Sequence, residues 1–203
     1  MKTYPSIVRG CIQHFRAHIF DKVDGSNLRF EFSKKRGWYK YGTRNHLFDQ
    51  TDPIFGQAIE VFHNNGLAQG IADIAKAQRW DKVVAFAEFY GPHSFAGVHQ
   101  ADDPKSLTLF DVSPLRKGIL PPVEFLKLFG HLDIAKFLGT VDWNHDYVAR
   151  VKRNEVEGVT FEGVVAKGTI NKELIMEKAK TQIWIDKVYV LHEKWRAQEI
   201  VES

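Results

Sequence analysis

The sequence predicts an α+β fold in which antiparallel sheets are flanked by helices, and three observations carry that expectation. Runs rich in aromatic and β-branched residues recur along the chain, as strands require. Several alternate apolar with polar positions: Leu28, Phe30 and Phe32 stand against Arg29 and Glu31, the pattern of an antiparallel sheet with one face on a core. Helical patterns interrupt these runs only occasionally, which argues against a doubly wound parallel sheet.

In chain order, strands are expected over residues 17–22, 27–32 and 38–41, the first two separated by the turn signal Asp24-Gly25. Two helices follow, over 53–63, opened by Pro53, and over 67–78, where Ile71, Ile74 and Ala75 recur at helical spacing. Apolar runs over 82–90 and 106–112 read as strands, 122–128 and 146–153 as helices, and 160–167 and 182–191 as strands. No repeat, low-complexity tract or long Pro/Gly/Ser linker divides the chain, so residues 1–203 are expected to form one domain.

A chain of 203 residues buries most of its apolar surface without staples. Its one cysteine, Cys11, excludes an internal disulfide. With no apolar h-region at the N-terminus and no run of membrane-spanning length, a cytoplasmic protein that does not enter a membrane is expected. A formal net charge of +3 permits a polyanionic partner without demanding one. Nine histidines invite a metal search, but His14/His18 and His93/His99 lack Cys or carboxylate companions at spacings typical of zinc, and zinc is not expected.

Chemistry concentrates first at Phe20-Asp21-Lys22-Val23-Asp24-Gly25-Ser26-Asn27, where a lysine ends an apolar strand just before a turn. An amine so placed can face a cleft, and it becomes nucleophilic once desolvation or neighbouring cations lower its pKa. Lys-x-Asp-Gly arises by chance in roughly one chain in twenty-five of this length, so the motif needs company. Five further segments supply it: Gly42-Thr43-Arg44-Asn45, Glu88-Phe89-Tyr90-Gly91, Leu109-Phe110-Asp111-Val112, Glu162-Gly163-Val164-Val165-Ala166-Lys167 and Lys178-Ala179-Lys180. In that order the six segments resemble the motifs of covalent nucleotidyltransferases, the DNA ligases, RNA ligases and mRNA capping enzymes, over about residues 20–182.

The resemblance implies a ligase-type nucleotidyltransferase domain, with a nucleotide cleft between its sheets, in which Lys22 takes AMP from ATP. It casts Lys178 and Lys180 as catalytic cations and Asp24, Gly25, Asn27, Arg44, Glu88, Phe110 and Lys167 as nucleotide-binding. It puts Glu162 on a divalent metal, Mg²⁺ or Mn²⁺, with Glu88 and Asp111 as further candidates. The residue types suit those tasks. Converging lysines offset charge on a phosphate under in-line attack, carboxylates are hard ligands for magnesium, an arginine grips phosphate bidentately, and an aromatic ring stacks a base. On their own, Phe110 equally suits a core, Glu162 an edge strand, Glu88 a carboxylate paired to some lysine, and Arg44, Lys178 and Lys180 a solvated surface. The run Lys34 to Tyr41 mixes cations with aromatics and reads either as a contact for nucleic acid or as a charged hairpin tip.

Within the family, Asn27 resembles RNA ligases that seal duplex nicks, whereas Asp24 is closer to single-strand RNA ligases and DNA ligases. The stretch after Lys180 is too short for the OB-fold domain of DNA ligases and capping enzymes. A minimal, monomeric ATP-dependent RNA ligase acting on RNA is therefore expected. A DNA ligase, a GTP-dependent capping-type enzyme and a non-catalytic nucleotide- or RNA-binding domain are the alternatives.

Overall fold

The structure is a computed structural model that describes residues 3–92, 96, 99 and 102–202. Its elements are β1 (Val8–Arg9), β2 (Phe15–Lys22), β3 (Ser26–Ser33), β4 (Gly37–Gly42), β5 (Leu47–Phe48), α1 (Gly56–Asn64), α2 (Leu67–Ala77), β6 (Lys82–Tyr90), β7 (Ser106–Pro114), α3 (Pro122–Phe129), β8 (Phe137–Trp143), α4 (His145–Lys152), β9 (Gly163–Ile170), β10 (Glu173–Lys180), α5 (Gln182–Leu191) and α6 (Lys194–Glu202). The chain divides into two compact units. The first comprises Met1–Tyr4, Gly25–Pro92 and Ala101–Ile134; the second comprises Pro5–Asp24, His93–Gln100 and Ala135–Ser203.

The first unit holds a five-stranded antiparallel sheet in the order β5-β4-β3-β6-β7. Leu28, Phe30 and Phe32 of β3 pair with Ala87, Ala85 and Val83 of β6, so one face of the sheet is apolar. Phe62 of α1 stacks on Phe30 at 4.0 Å and meets Trp38 edge-on at 4.7 Å, closing the core. The polar alternates are buried too: Arg29 and Glu31 are only 4% and 7% exposed. The hairpin between β3 and β4 keeps Lys34, Lys35 and Arg36 at its exposed tip. Behind that tip Trp38 donates to the Ala68 carbonyl, while Arg36 and Lys40 lie over the Tyr39 ring.

The second unit holds a five-stranded sheet in the order β1-β10-β9-β2-β8, antiparallel except for the β1–β10 pair. Ala17, Ile19, Val164, Ala166 and Ala179 form its apolar face, packed with Trp143 and with Tyr147 and Val151 of α4. A smaller core gathers Trp184, Ile185 and Val188 of α5 with Ala197, Ile200 and Val201 of α6.

Four helices and six strands fall where the sequence places them, within a few residues. Residues 182–191 do not: they form α5 rather than a strand. Thr181 caps that helix by accepting from the Trp184 amide at 3.2 Å and donating to the Phe161 carbonyl at 2.6 Å. Trp184, Ile185 and Val188 then bury one helical stripe, and that packing overrides the β propensity of the run. Strands β1, β5, β8 and β10 and helix α6 are additional to the sequence reading.

Candidate active site

Lys22 is the last residue of β2, and its partner across the ladder is Gly163, the first residue of β9. On its other side Gly163 pairs with Lys180, the last residue of β10. Paired residues in a sheet project to the same face, so two lysines flank one position that carries no side chain. Glu162, immediately before it, supplies the counter-charge. Lys22 Nζ donates to Glu162 Oε2 at 2.9 Å, and Lys180 Nζ lies 3.2 Å from Glu162 Oε1. Each carboxylate oxygen is thus held by one lysine.

Only glycine fits between them. Gly163 has φ +151°, and a Cβ there would stand 2.0 Å from the Ala179 carbonyl oxygen. The Glu162-Gly163 dipeptide therefore joins a charge requirement to a steric one.

The register extends the same face. Lys178 pairs with Val165, and Lys167 pairs with His18 on one side and Met176 on the other. Lys22, Lys167, Lys178 and Lys180 consequently share the sheet face opposite the apolar packing on α4. All but Lys22 are buried. Lys167 Nζ sits 4.9 Å above the Phe20 ring, and Lys180 Nζ sits 4.4 Å from the Trp184 ring while donating to the Ile200 carbonyl at 3.1 Å. Burial pushes the pKa of Lys180 below the ordinary lysine value; Glu162 opposes the shift and the charge of Lys22 adds to it.

Asp24 is buried in the turn after β2, with Oδ2 accepting from the Ala96 amide at 2.8 Å. Its Oδ1 has no hydrogen bond of good geometry among the described residues. Burial and then the charge of Glu162 push its pKa up, against the pull of the Ala96 amide, the Trp184 indole and Lys22.

The first unit holds the other residues singled out in the sequence. A Cβ on Gly25 would meet the Phe89 carbonyl oxygen at 2.5 Å, so the chain runs hard against β6 where Glu88 lies. Asn27 and Glu88 are register partners on β3 and β6 and share a face. Phe110 falls at the irregularity between Phe86 and Ala87 where β6 meets β7. A bulge of this kind lets adjacent residues turn toward one side, and Tyr4 meets both: its ring lies edge-on to Phe110 at 5.0 Å and its hydroxyl donates to Asp111. Asp111 is buried. Arg44 is exposed in the turn linking β4 to β5, where the Thr43 amide donates to the His46 carbonyl.

Two residues were passed over in the sequence. Arg29 shares the face of Asn27 and Glu88, and its Nε and Nη1 lack hydrogen-bond partners among the described residues. The two-residue step from Asn27 is the signal that would have flagged it. Tyr4, in the same unit, is linked to Asp111 by tertiary contact alone.

The α+β architecture of two largely antiparallel sheets, one of them with a lysine-lined face, is that of ligase-type nucleotidyltransferase domains. Solved structures with this fold include a Naegleria gruberi RNA ligase variant with ATP and Mn, at 17% identity and TM-score 0.64, covering 85% of this chain and 51% of that one. The same ligase with PPi matches at 16% identity and TM-score 0.65 over the same shares of the two chains. An archaeal ATP-dependent RNA ligase matches at 17% identity and TM-score 0.64, covering 91% of this chain and 50% of that one. The RNA ligase family model matches residues 17–183, and the chain belongs to that family. It spans about half the length of these solved ligases. No curated protein matches it. Among the described residues, no helix is long and apolar enough to cross a membrane.

Proposed function

We propose that residues 1–203 act as a single adenylation domain of an ATP-dependent RNA ligase, a cytoplasmic monomer that joins 5′-phosphate and 3′-hydroxyl ends of RNA. The observation that carries this reading is the contact of Lys22 and Lys180 with the two oxygens of Glu162. A lysine whose amine is held within a buried charge cluster, only partly open to water, is positioned rather than solvated.

In the first step Lys22 Nζ, having shed a proton, attacks the α-phosphorus of ATP. The N–P bond forms as the P–O bond to pyrophosphate breaks, and Lys167, Lys178 and Lys180 offset the charge on the phosphate oxygens. A 5′-phosphate oxygen of RNA then displaces Lys22 from the AMP, and a 3′-hydroxyl finally displaces AMP to leave a phosphodiester. Asp24, Gly25, Asn27, Arg44, Glu88 and Phe110 are assigned to holding the nucleotide, Phe110 by stacking the adenine.

The donor set suits Mg²⁺ or Mn²⁺: Glu162 offers hard oxygens, and Asp24 Oδ1 is a buried oxygen with no hydrogen bond of good geometry among the described residues. Such an ion would be held by Glu162 and Asp24, with Glu88 and Asp111 as further candidates, and would neutralise phosphate charge.

The test is intact mass after incubation with ATP and Mg²⁺, followed by peptide mapping. One AMP on Lys22, absent from a folded Lys22→Ala variant, is the expected result. An adduct formed from GTP alone would make it a capping-type enzyme. No adduct with ATP, GTP or NAD would make it a binding domain without chemistry.

A further inference from the structure

Away from the lysine face, the second unit gathers Cys11, His14 and His145 so that one ligand atom from each lies within 4.8 Å of the others. We propose that these three side chains form a site for a borderline-soft divalent transition ion, zinc above all. Thiolate and imidazole together are the donors zinc favours, and three protein ligands leave a fourth position for water. Neighbouring ligand atoms around tetrahedral zinc stand about 3.4–3.6 Å apart, so closure on an ion needs a contraction of roughly 1 Å. The side chains have room to make it: Cys11 is half-buried, and His14 and His145 are exposed.

The fold holds the ligands together by an independent device. Glu177 is buried on β10, and its Oε2 accepts both from the Ile12 amide at 3.0 Å and from Trp143 Nε1 at 2.7 Å. Ile12 lies between Cys11 and His14, and Trp143 ends β8 two residues before His145. One carboxylate therefore pins the loop carrying two ligands against the strand end that presents the third. On the far side of that junction Asn144 caps α4, its side chain accepting from the Tyr147 amide at 2.8 Å, which fixes His145 at the first helical position. The His14 and His145 rings already meet edge-on at 5.5 Å.

Glu177 also favours a cation here. Without an ion the Cys11 thiol donates to the Gln13 carbonyl at 3.4 Å. On binding, the S–H bond breaks, the proton passes to solvent and the thiolate joins the metal. The ion would clip the β1–β2 loop to α4. In the sequence His14 is weighed only against His18, since the third ligand, His145, stands far from both; His93 lies outside the described residues.

The test uses the full chain, stripped with chelator and titrated with Co²⁺ as a spectroscopic probe. One equivalent should produce the thiolate-to-cobalt charge-transfer band and the ligand-field bands of a tetrahedral ion, and Zn²⁺ should displace both. Cys11→Ser should abolish the charge-transfer band, and His14→Ala and His145→Ala should each weaken binding more than about tenfold. Zn²⁺ should raise the melting temperature of the parent and of none of the three variants. No charge-transfer band, or a band that His145→Ala leaves intact, would overturn the site. These readouts are independent of AMP transfer and stand or fall without it.

Discussion

Lys22 Nζ donates to Glu162 Oε2 at 2.9 Å, and the other oxygen of that carboxylate is held by Lys180. Glu162→Gln leaves two ammonium groups facing an amide, one of them on a lysine that is almost wholly buried. Breaking a buried pair from one side costs about 3 kcal/mol, and adduct formation should fall by roughly 10²–10³. The pH dependence has a definite sign. Because the folded pKa of Lys180 lies below its unfolded value, the charged lysine is a cost that disappears as pH rises from the folded value toward 10.5. Glu162 opposes that shift, so the variant should be most deficient near neutrality and approach the parent in alkali. Urea midpoints across pH check this; a deficit constant with pH would show that Glu162 does not govern the charge on Lys180.

Asp24 titrates in the opposite sense. Its folded pKa is raised above 3.8, so between the two values the folded chain keeps a proton that the unfolded chain has released. The stability this adds is present at low pH and lost as pH rises through the folded pKa. Asp24→Asn keeps an acceptor for the Ala96 amide and removes the buried charge. Its melting temperature should match or exceed the parent at neutral pH, the advantage shrinking as pH falls toward 3.8. Adduct yield should nevertheless drop at least about tenfold. A variant less stable than the parent at neutral pH would show that the carboxylate is fully compensated in the fold.

The legible part of this molecule is local in sequence. Lys22 to Asn27, Glu162-Gly163 and Lys178-Ala179-Lys180 are short segments whose residue types announce a charge cluster, and the fold brings the first lysine, the glutamate and the last lysine into contact. The strand carrying Lys178 and Lys180 escaped notice because β10 buries glutamate and lysines where a strand pattern calls for apolar residues. The alternation of Leu28, Phe30 and Phe32 with Arg29 and Glu31 marks one face on a core and leaves the other face open, and in the fold both polar residues are buried. Residues 182–191 look like a strand by composition and become a helix because Thr181 caps them and Trp184 needs a core. Cys11, His14 and His145 could not be assembled from spacing, since the two segments meet through the fold, by the pairing of Phe15 with Trp143 and by the Glu177 bridge.

Gly163 offers a steric test of the lysine face. Any side chain there must occupy space already taken by the Ala179 carbonyl, at a φ that L residues rarely adopt. Gly163→Ala should destabilise by upwards of about 3 kcal/mol and part β9 from β10, so Lys180 should lose its contact with Glu162. Thermal melts and adduct yield should fall together. A variant with parental stability would mean that the strands shift at little cost.

Tyr4 and Asp111 offer a test confined to the first unit. The phenol donates to a buried carboxylate, and burial followed by the charge of Asp111 holds its pKa well above 10.0. Tyr4→Phe keeps the ring against Phe86 and Phe110 but withdraws the donor from Asp111. Leaving a buried charged acceptor short of a donor costs about 1–3 kcal/mol, read as a lower urea midpoint. Because Tyr4 stays protonated while the fold lasts, the phenolate absorbance that develops in the native protein on raising pH should be the same in parent and variant. A smaller native signal in Tyr4→Phe would mean that Tyr4 ionises in the folded chain, and hence that Asp111 does not hold its proton in place.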